Sequence, residues 1–114
     1  MSLEFTLPLK LESLANQRTH WRAKARVAKA QRFEARAALT GEGEIWFKGP
    51  YAVHITRLGK RKLDSDNLAI SAKHVRDGIA DALGIDDGDE TKVTWTYAQE
   101  IAKEYGCRVR IEQA

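Results

Sequence analysis

The chain has 114 residues, 43 % hydrophobic and 31 % charged, with 19 lysines and arginines against 16 acids and a formal net charge of +3. That balance excludes a disordered or collagen-like polymer, and the length allows one domain with one core, not two. No apolar run approaches the ~20 residues that cross a bilayer, Met1–Phe5 does not read as a signal peptide, and the single Cys107 excludes an internal disulfide or a cysteine metal site. The expected setting is therefore reducing and cytoplasmic.

In chain order, residues 5–12 alternate well enough for a strand, with Pro8 favouring an edge or a bend. Asn16 can cap a helix from about Arg18 to Leu39, rich in Ala, Arg and Lys and closed by Gly41. Trp46 and Phe47 suggest a short strand before Gly49-Pro50, and residues 51–57 are β-branched and alternating, a strand signature. A second helix is expected from Asp66 to Leu83, stopped by Gly84. Residues 92–98 and 107–112 both alternate and are expected to pair with each other through a turn near Glu104 to Gly106. The order β-α-β-α-β-β predicts a single α+β domain over residues 1–114, a mixed sheet of about four strands with two helices packed on it.

Projected at about 100° per residue, the second helix gathers Leu68, Ala72, Val75, Ile79 and Ala82 on a buried side. Asp66, Lys73, Asp77 and Asp81 gather opposite, with Ile70 among them, and Asp66, Lys73 and Asp77 share one column. The first helix collects Arg18, Arg22, Arg26, Lys29, Arg32 and Arg36 on about a third of its circumference, with Glu34 the only acid between 18 and 36. Arg57, Lys60, Arg61 and Lys62 add to this surface, which has the electrostatic footprint of a nucleic-acid partner. Trp21, Trp46 and Trp95 read as core residues in preference to base-stacking platforms.

Against this basic background, residues 64–90 hold eight acids and only two cations, Lys73 and Arg76, for a formal charge of −6. Asp64 and Asp66 lie at the entry of the second helix, and Asp86 and Asp87 lie just past its exit. Clustered carboxylates repel unless neutralised, most often by a hard divalent cation held through oxygen. The predicted helix is ~27 Å long, so its two ends meet at one metal only if adjacent strands bring Asp64 and Asp87 together. Each acid also has an ordinary reading: Asp66 or Asn67 as a helix cap, Asp86-Asp87-Gly88 as a turn, Lys73–Asp77 as an i,i+4 pair on a solvated face. His20, His54 and His74 are widely spaced with no HExxH pattern, and no P-loop, Gly-x-Ser-x-Gly or dinucleotide fingerprint appears. Asp64-Ser65-Asp66 is formally a DxD, but the chain is too short for a sugar-nucleotide fold.

The run Lys62-Leu63-Asp64-Ser65-Asp66-Asn67-Leu68, then Lys73 with Asp77-Gly78-Ile79, then Gly84-Ile85-Asp86-Asp87-Gly88, resembles the RusA family of Holliday junction resolvases of phages, prophages and bacteria, over residues 57–99. The resemblance implies a homodimer of α+β subunits that binds four-way DNA junctions and cleaves them symmetrically with Mg²⁺, Mn²⁺ being a substitute, in DNA recombination and repair. It implies no nucleotide cofactor and no membrane. By position, Asp64 and Asp66 match the two acids of the family's DxDN motif and Asp87 the second acid of its later pair. Asp64, Asp66 and Asp87, with Asp86, would then be metal ligands, with Asn67 and Asp77 behind them. Lys73 resembles the family's essential lysine, which follows the second aspartate by four residues where Lys73 follows Asp66 by seven. That shift turns a helical residue by about −60° and carries it ~4.5 Å further along. The DNA-binding set is Arg18, Arg22, Arg26, Lys29, Arg32, Arg36, Lys60, Arg61 and Lys62. The alternative reading is a non-catalytic nucleic-acid-binding protein with the same fold and basic helix.

Overall fold

A computed structural model describes residues 2–12, 21–41, 45 and 47–114. Asn16, Arg18 and His20 of the expected first-helix start, and Trp46, lie outside the described residues. Within them run β1 (Ser2–Leu7), α1 (Trp21–Gly41), β2 (Tyr51–Gly59), α2 (Ser65–Ser71), α3 (Lys73–Leu83), β3 (Val93–Ile101) and β4 (Gly106–Gln113). The α+β expectation holds: one four-stranded mixed sheet, in the order β1-β4-β2-β3, carries its helices on one face. No described helix is long and apolar enough to cross a membrane.

The alternation of each strand decides its face. Val53 and Ile55 of β2 and Cys107, Val109 and Ile111 of β4 point into a core completed by Leu7, Leu11, Ala35, Leu39, Phe47, Val75 and Ile79. The opposite face is polar, built from Glu4, His54, Thr56, Arg108, Arg110 and Glu112. There His54 Nε2 meets Glu112 at 3.2 Å, while its Nδ1 is hydrogen-bonded to Thr96 Oγ1. The first strand lies earlier than residues 5–12, because Pro8 cannot donate to the β4 ladder. Phe47 is buried outside any strand, edge-on to the Tyr51 ring at 6.0 Å.

Two expectations are corrected. Strands β3 and β4 do not pair with each other; they flank β2, β3 in parallel and β4 antiparallel. The β4 side chains Cys107, Val109 and Ile111 are fully buried and require a central position, whereas the inward residues of β3, except Val93, are only half-buried and suit an edge. The connection 102–105 therefore crosses the end of β2, where the Ala102 N–H donates to the Gly59 carbonyl at 2.9 Å. The expected helix from Asp66 to Leu83 is two helices, broken at Ala72 (φ −92, ψ −4). The Ser71 hydroxyl donates to the Leu68 carbonyl at 2.7 Å, and the Ala72 N–H, which would take that carbonyl in a continuous helix, reaches Ala69 instead. The expected inner face survives the break, with Leu68, Ala72, Val75 and Ile79 buried.

Helix α3 packs on α1 at Gly78, where a Cβ would stand 2.3 Å from the Arg32 carbonyl oxygen. Glycine is needed there for backbone approach. Gly84 ends α3 in the left-handed region at φ 69, as a helix-terminating glycine does.

Candidate acidic centre and nucleic-acid interface

The acidic motif begins where β2 ends. Arg57 is only 4 % exposed; its Nε donates to the Leu11 carbonyl at 2.9 Å and its Nη1 to the Arg61 carbonyl at 2.6 Å. This ties the Lys60-Arg61-Lys62 turn to the end of the sheet. Gly59 leaves room for the guanidinium, which a Cβ would meet at 2.6 Å. Arg57 is therefore not one of the surface cations; its side chain is an internal strut. Next, Leu63 and Gln99 exchange two hydrogen bonds, Leu63 N–H to Gln99 Oε1 at 2.9 Å and Gln99 Nε2 to the Leu63 carbonyl at 2.8 Å. Sequence reasoning missed Gln99, since a glutamine in an alternating strand carries no signal of its partner.

So anchored, Asp64 is the N-cap residue of α2, with its carbonyl accepting the Leu68 N–H at 2.8 Å. Its carboxylate makes no capping bond. Asp66 stands in the first turn of α2, and Asn67 beside it is half-buried. Both aspartates are exposed, and neither side chain has a hydrogen-bond or ion-pair partner among the described residues. An acid in the first turn is favoured by the helix dipole.

The second acidic stretch is engaged throughout its aspartates. Asp86 Oδ1 accepts the Gly88 N–H at 3.0 Å, and Asp89 Oδ1 accepts both the N–H and the hydroxyl of Thr91, which hold its carboxyl below the usual range. These are side-chain-to-backbone turn contacts. Asp87 is held by Arg76: Nε donates to Oδ2 and Nη2 to the Asp87 carbonyl, both at 2.9 Å. The same guanidinium donates to the Tyr97 hydroxyl at 2.9 Å and lies 4.9 Å from the Trp95 ring centroid. Trp95 Nε1 also donates to the Asp87 carbonyl. These groups line a groove of 570 Å³.

The structure therefore does not assemble Asp64, Asp66, Asp86 and Asp87. Among the described residues no group of three or more His, Cys, Asp or Glu is arranged to hold a metal ion. Adjacent strands were the condition for Asp64 and Asp87 to meet, and β2 and β3 are adjacent. Their parallel register, from Tyr51↔Val93 to Gly59↔Ile101, sets the end of one beside the end of the other. Asp64 is consequently anchored through Leu63 at Gln99 and Asp87 at Trp95, four residues or about 13 Å apart along β3. In this arrangement Asp87 is engaged with Arg76 and not with Asp64 or Asp66.

Lys73, 62 % exposed at its side chain, pairs with Asp77 Oδ2 at 3.2 Å, and the break at Ala72 separates both from the helix that carries Asp66. Asp77 thus faces Lys73 and His74, not the acidic centre. Partial burial lowers the pKa of His74 despite the pull of Asp77. Burial pushes the Cys107 thiol up to about 12, in keeping with its place in the apolar core.

On α1, Arg26, Lys29 and Arg36 are exposed, and Arg22 lies 5.3 Å from the centroid of the exposed Trp21 ring. Trp21 is therefore not a core residue. Arg32 is also corrected: it forms a two-toothed clamp on Asp81 of α3 at 2.6 and 2.8 Å, joining two helices. Lys60, Arg61 and Lys62 are exposed, with Lys60 5.7 Å and Lys10 4.5 Å from the Tyr105 ring centroid.

Neither a protein-family model nor a curated protein matches the chain.

Proposed function

We propose that the chain is a structure-selective endodeoxyribonuclease of RusA type, acting on four-way DNA junctions in the presence of Mg²⁺ or Mn²⁺. The observation that carries this reading is the pair of exposed carboxylates, Asp64 and Asp66, unengaged among the described residues and directly after the exposed cations Lys60, Arg61 and Lys62. Two exposed carboxylates next to three exposed cations offer one surface to both a hard cation and a polyanion. The exposed basic face of α1 supports the same partner. In this reading Lys60, Arg61 and Lys62 hold phosphates, α1 follows the backbone, and Gln99 and Arg57 fix the segment that bears Asp64. The two carboxylates are the oxygen donors available to a hard cation, and a bound divalent ion would supply Lewis acidity at the scissile phosphate. A homodimer would match paired incisions to the two-fold symmetry of a junction, in a bacterial or phage cytoplasm.

One observation favours the non-catalytic reading: Asp87, the third acid that the RusA resemblance calls for, is already neutralised by Arg76 at 2.9 Å. Incision of an end-labelled four-way junction, against a linear duplex of the same sequence, separates the two. Mg²⁺-dependent, paired cuts in the junction alone are expected, and they are lost on chelation. A junction bound but left intact with both Mg²⁺ and Mn²⁺ would overturn the nuclease in favour of the binding protein.

A further inference from the structure

The outward pole of α1 is aromatic. Phe33 is 69 % exposed, and the buried residues of the helix, Gln31, Ala35 and Leu39, lie on the other side. About 100° per residue sets Arg26, Lys29, Arg36 and Ala37 around Phe33, all exposed. A groove of 410 Å³ opens beside the ring, lined by Phe33, Arg36, Ala37, Thr40 and Gly41. The Thr40 hydroxyl is turned back onto the Arg36 carbonyl at 2.8 Å, so the groove offers an apolar wall and floor with a guanidinium at its rim.

We propose that this groove receives an unstacked nucleobase, stacked on Phe33, while Arg26, Lys29 and Arg36 hold the flanking phosphates. The inference rests on the nucleic-acid partner proposed above and adds what α1 recognises: exposed bases, such as those at a branch point, and not paired duplex. A base offers a flat π-face to the ring, and its backbone offers negative charge to the three exposed cations. A second copy is a poor occupant, because two such faces would oppose their cations. An anionic membrane also fits poorly. The exposed apolar residues Trp21, Val27 and Phe33 are six apart, so each is turned by about 240° from the last and they form no common stripe.

The test is binding by fluorescence anisotropy to a single strand, a four-way junction and a fully paired duplex, with 2-aminopurine at the branch as reporter. Phe33→Ala should keep the wild-type melting temperature, lose about tenfold in affinity for single strand and junction, and abolish quenching of the reporter. Affinity for duplex should change less than about twofold, and Phe33→Tyr should restore binding and quenching. Equal affinities and equal quenching for wild type and Phe33→Ala overturn the proposal while leaving the nucleic-acid reading standing. Wild-type protein that binds none of the three DNAs overturns both. Loss in Phe33→Ala of binding to phosphatidylserine vesicles, or of self-association in sedimentation, with DNA binding intact, assigns the ring to a membrane or a second copy and overturns it too.

Discussion

The two acidic stretches, one at the start of α2 and one after α3, are both rich in aspartate and have opposite circumstances. Past α3, Asp86 and Asp89 close turns on their own backbone and Asp87 is held by Arg76. At the start of α2, Asp64 and Asp66 stand exposed without partners among the described residues, although Arg57 and Gln99 fix the backbone that presents them. Carboxylates that the fold satisfies are part of its stability; carboxylates that the fold positions and leaves bare are available for chemistry. Nearness in sequence does not distinguish the two kinds. The partners do.

The largest expected effect breaks the comparison at its bare end. Asp64→Asn or Asp66→Asn should lower junction incision about 100-fold or more, with unchanged melting temperature and equal or tighter DNA binding. At the satisfied end, Arg76→Ala should cost about 2 kcal/mol in urea unfolding, because it strips Asp87, Tyr97 and Trp95 of their common partner. Wild-type stability in Arg76→Ala would show that the guanidinium cluster contributes nothing to the fold.

Gln99→Ala sits between the two. It removes both bonds to Leu63 and should cost about 1–2 kcal/mol, while reducing incision more than binding, because the backbone before Asp64 is loosened. An unchanged incision rate would mean that Asp64 does not depend on this anchor.

Smaller still is the response to acid. Asp81, Asp89 and Glu100 are held below the usual carboxylate range, chiefly by Arg32, Thr91 and Arg108 respectively. A lowered folded-state pKa gives stability that is complete above the unfolded value, about pH 4, and is lost as pH falls through the depressed values. Melting temperature should therefore be flat from neutral pH to about 5 and fall below about 4. Asp81→Asn should flatten part of that fall.

The smallest effect is expected from Lys73. Its ammonium pairs with Asp77 on an exposed face, so Lys73→Ala should cost a few tenths of a kcal/mol and leave turnover intact. A tenfold loss of turnover at unchanged affinity would instead give Lys73 the role that the RusA resemblance implies.

Much of this molecule can be read from its residues, for physical reasons that also mark where reading stops. Period-two alternation fixes which residues of β2 and β4 face the core, and Gly84 ends α3 where expected. Strand order depends on which strand has the most apolar inner face to bury, a comparison between β3 and β4 that a turn-based pairing ignores. The helix break follows from one hydroxyl, that of Ser71, choosing a carbonyl three residues back. Arg32 and Arg57 look like ordinary surface cations; their partners, Asp81 and the Leu11 and Arg61 carbonyls, become visible only once the sheet brings distant segments together. The exposure of Phe33 carries no signal in the sequence, because an aromatic on a helix is usually core.

The most direct test of the distinction between bare and satisfied acids is Asp87→Asn, assayed for Mg²⁺-dependent junction incision and melting temperature on the same sample. The account predicts a lower melting temperature, with incision by the folded fraction at low temperature close to wild type. A variant that melts at or above the wild-type temperature yet no longer cuts would contradict it, and would put Asp87 in the reacting centre beside Asp64 and Asp66.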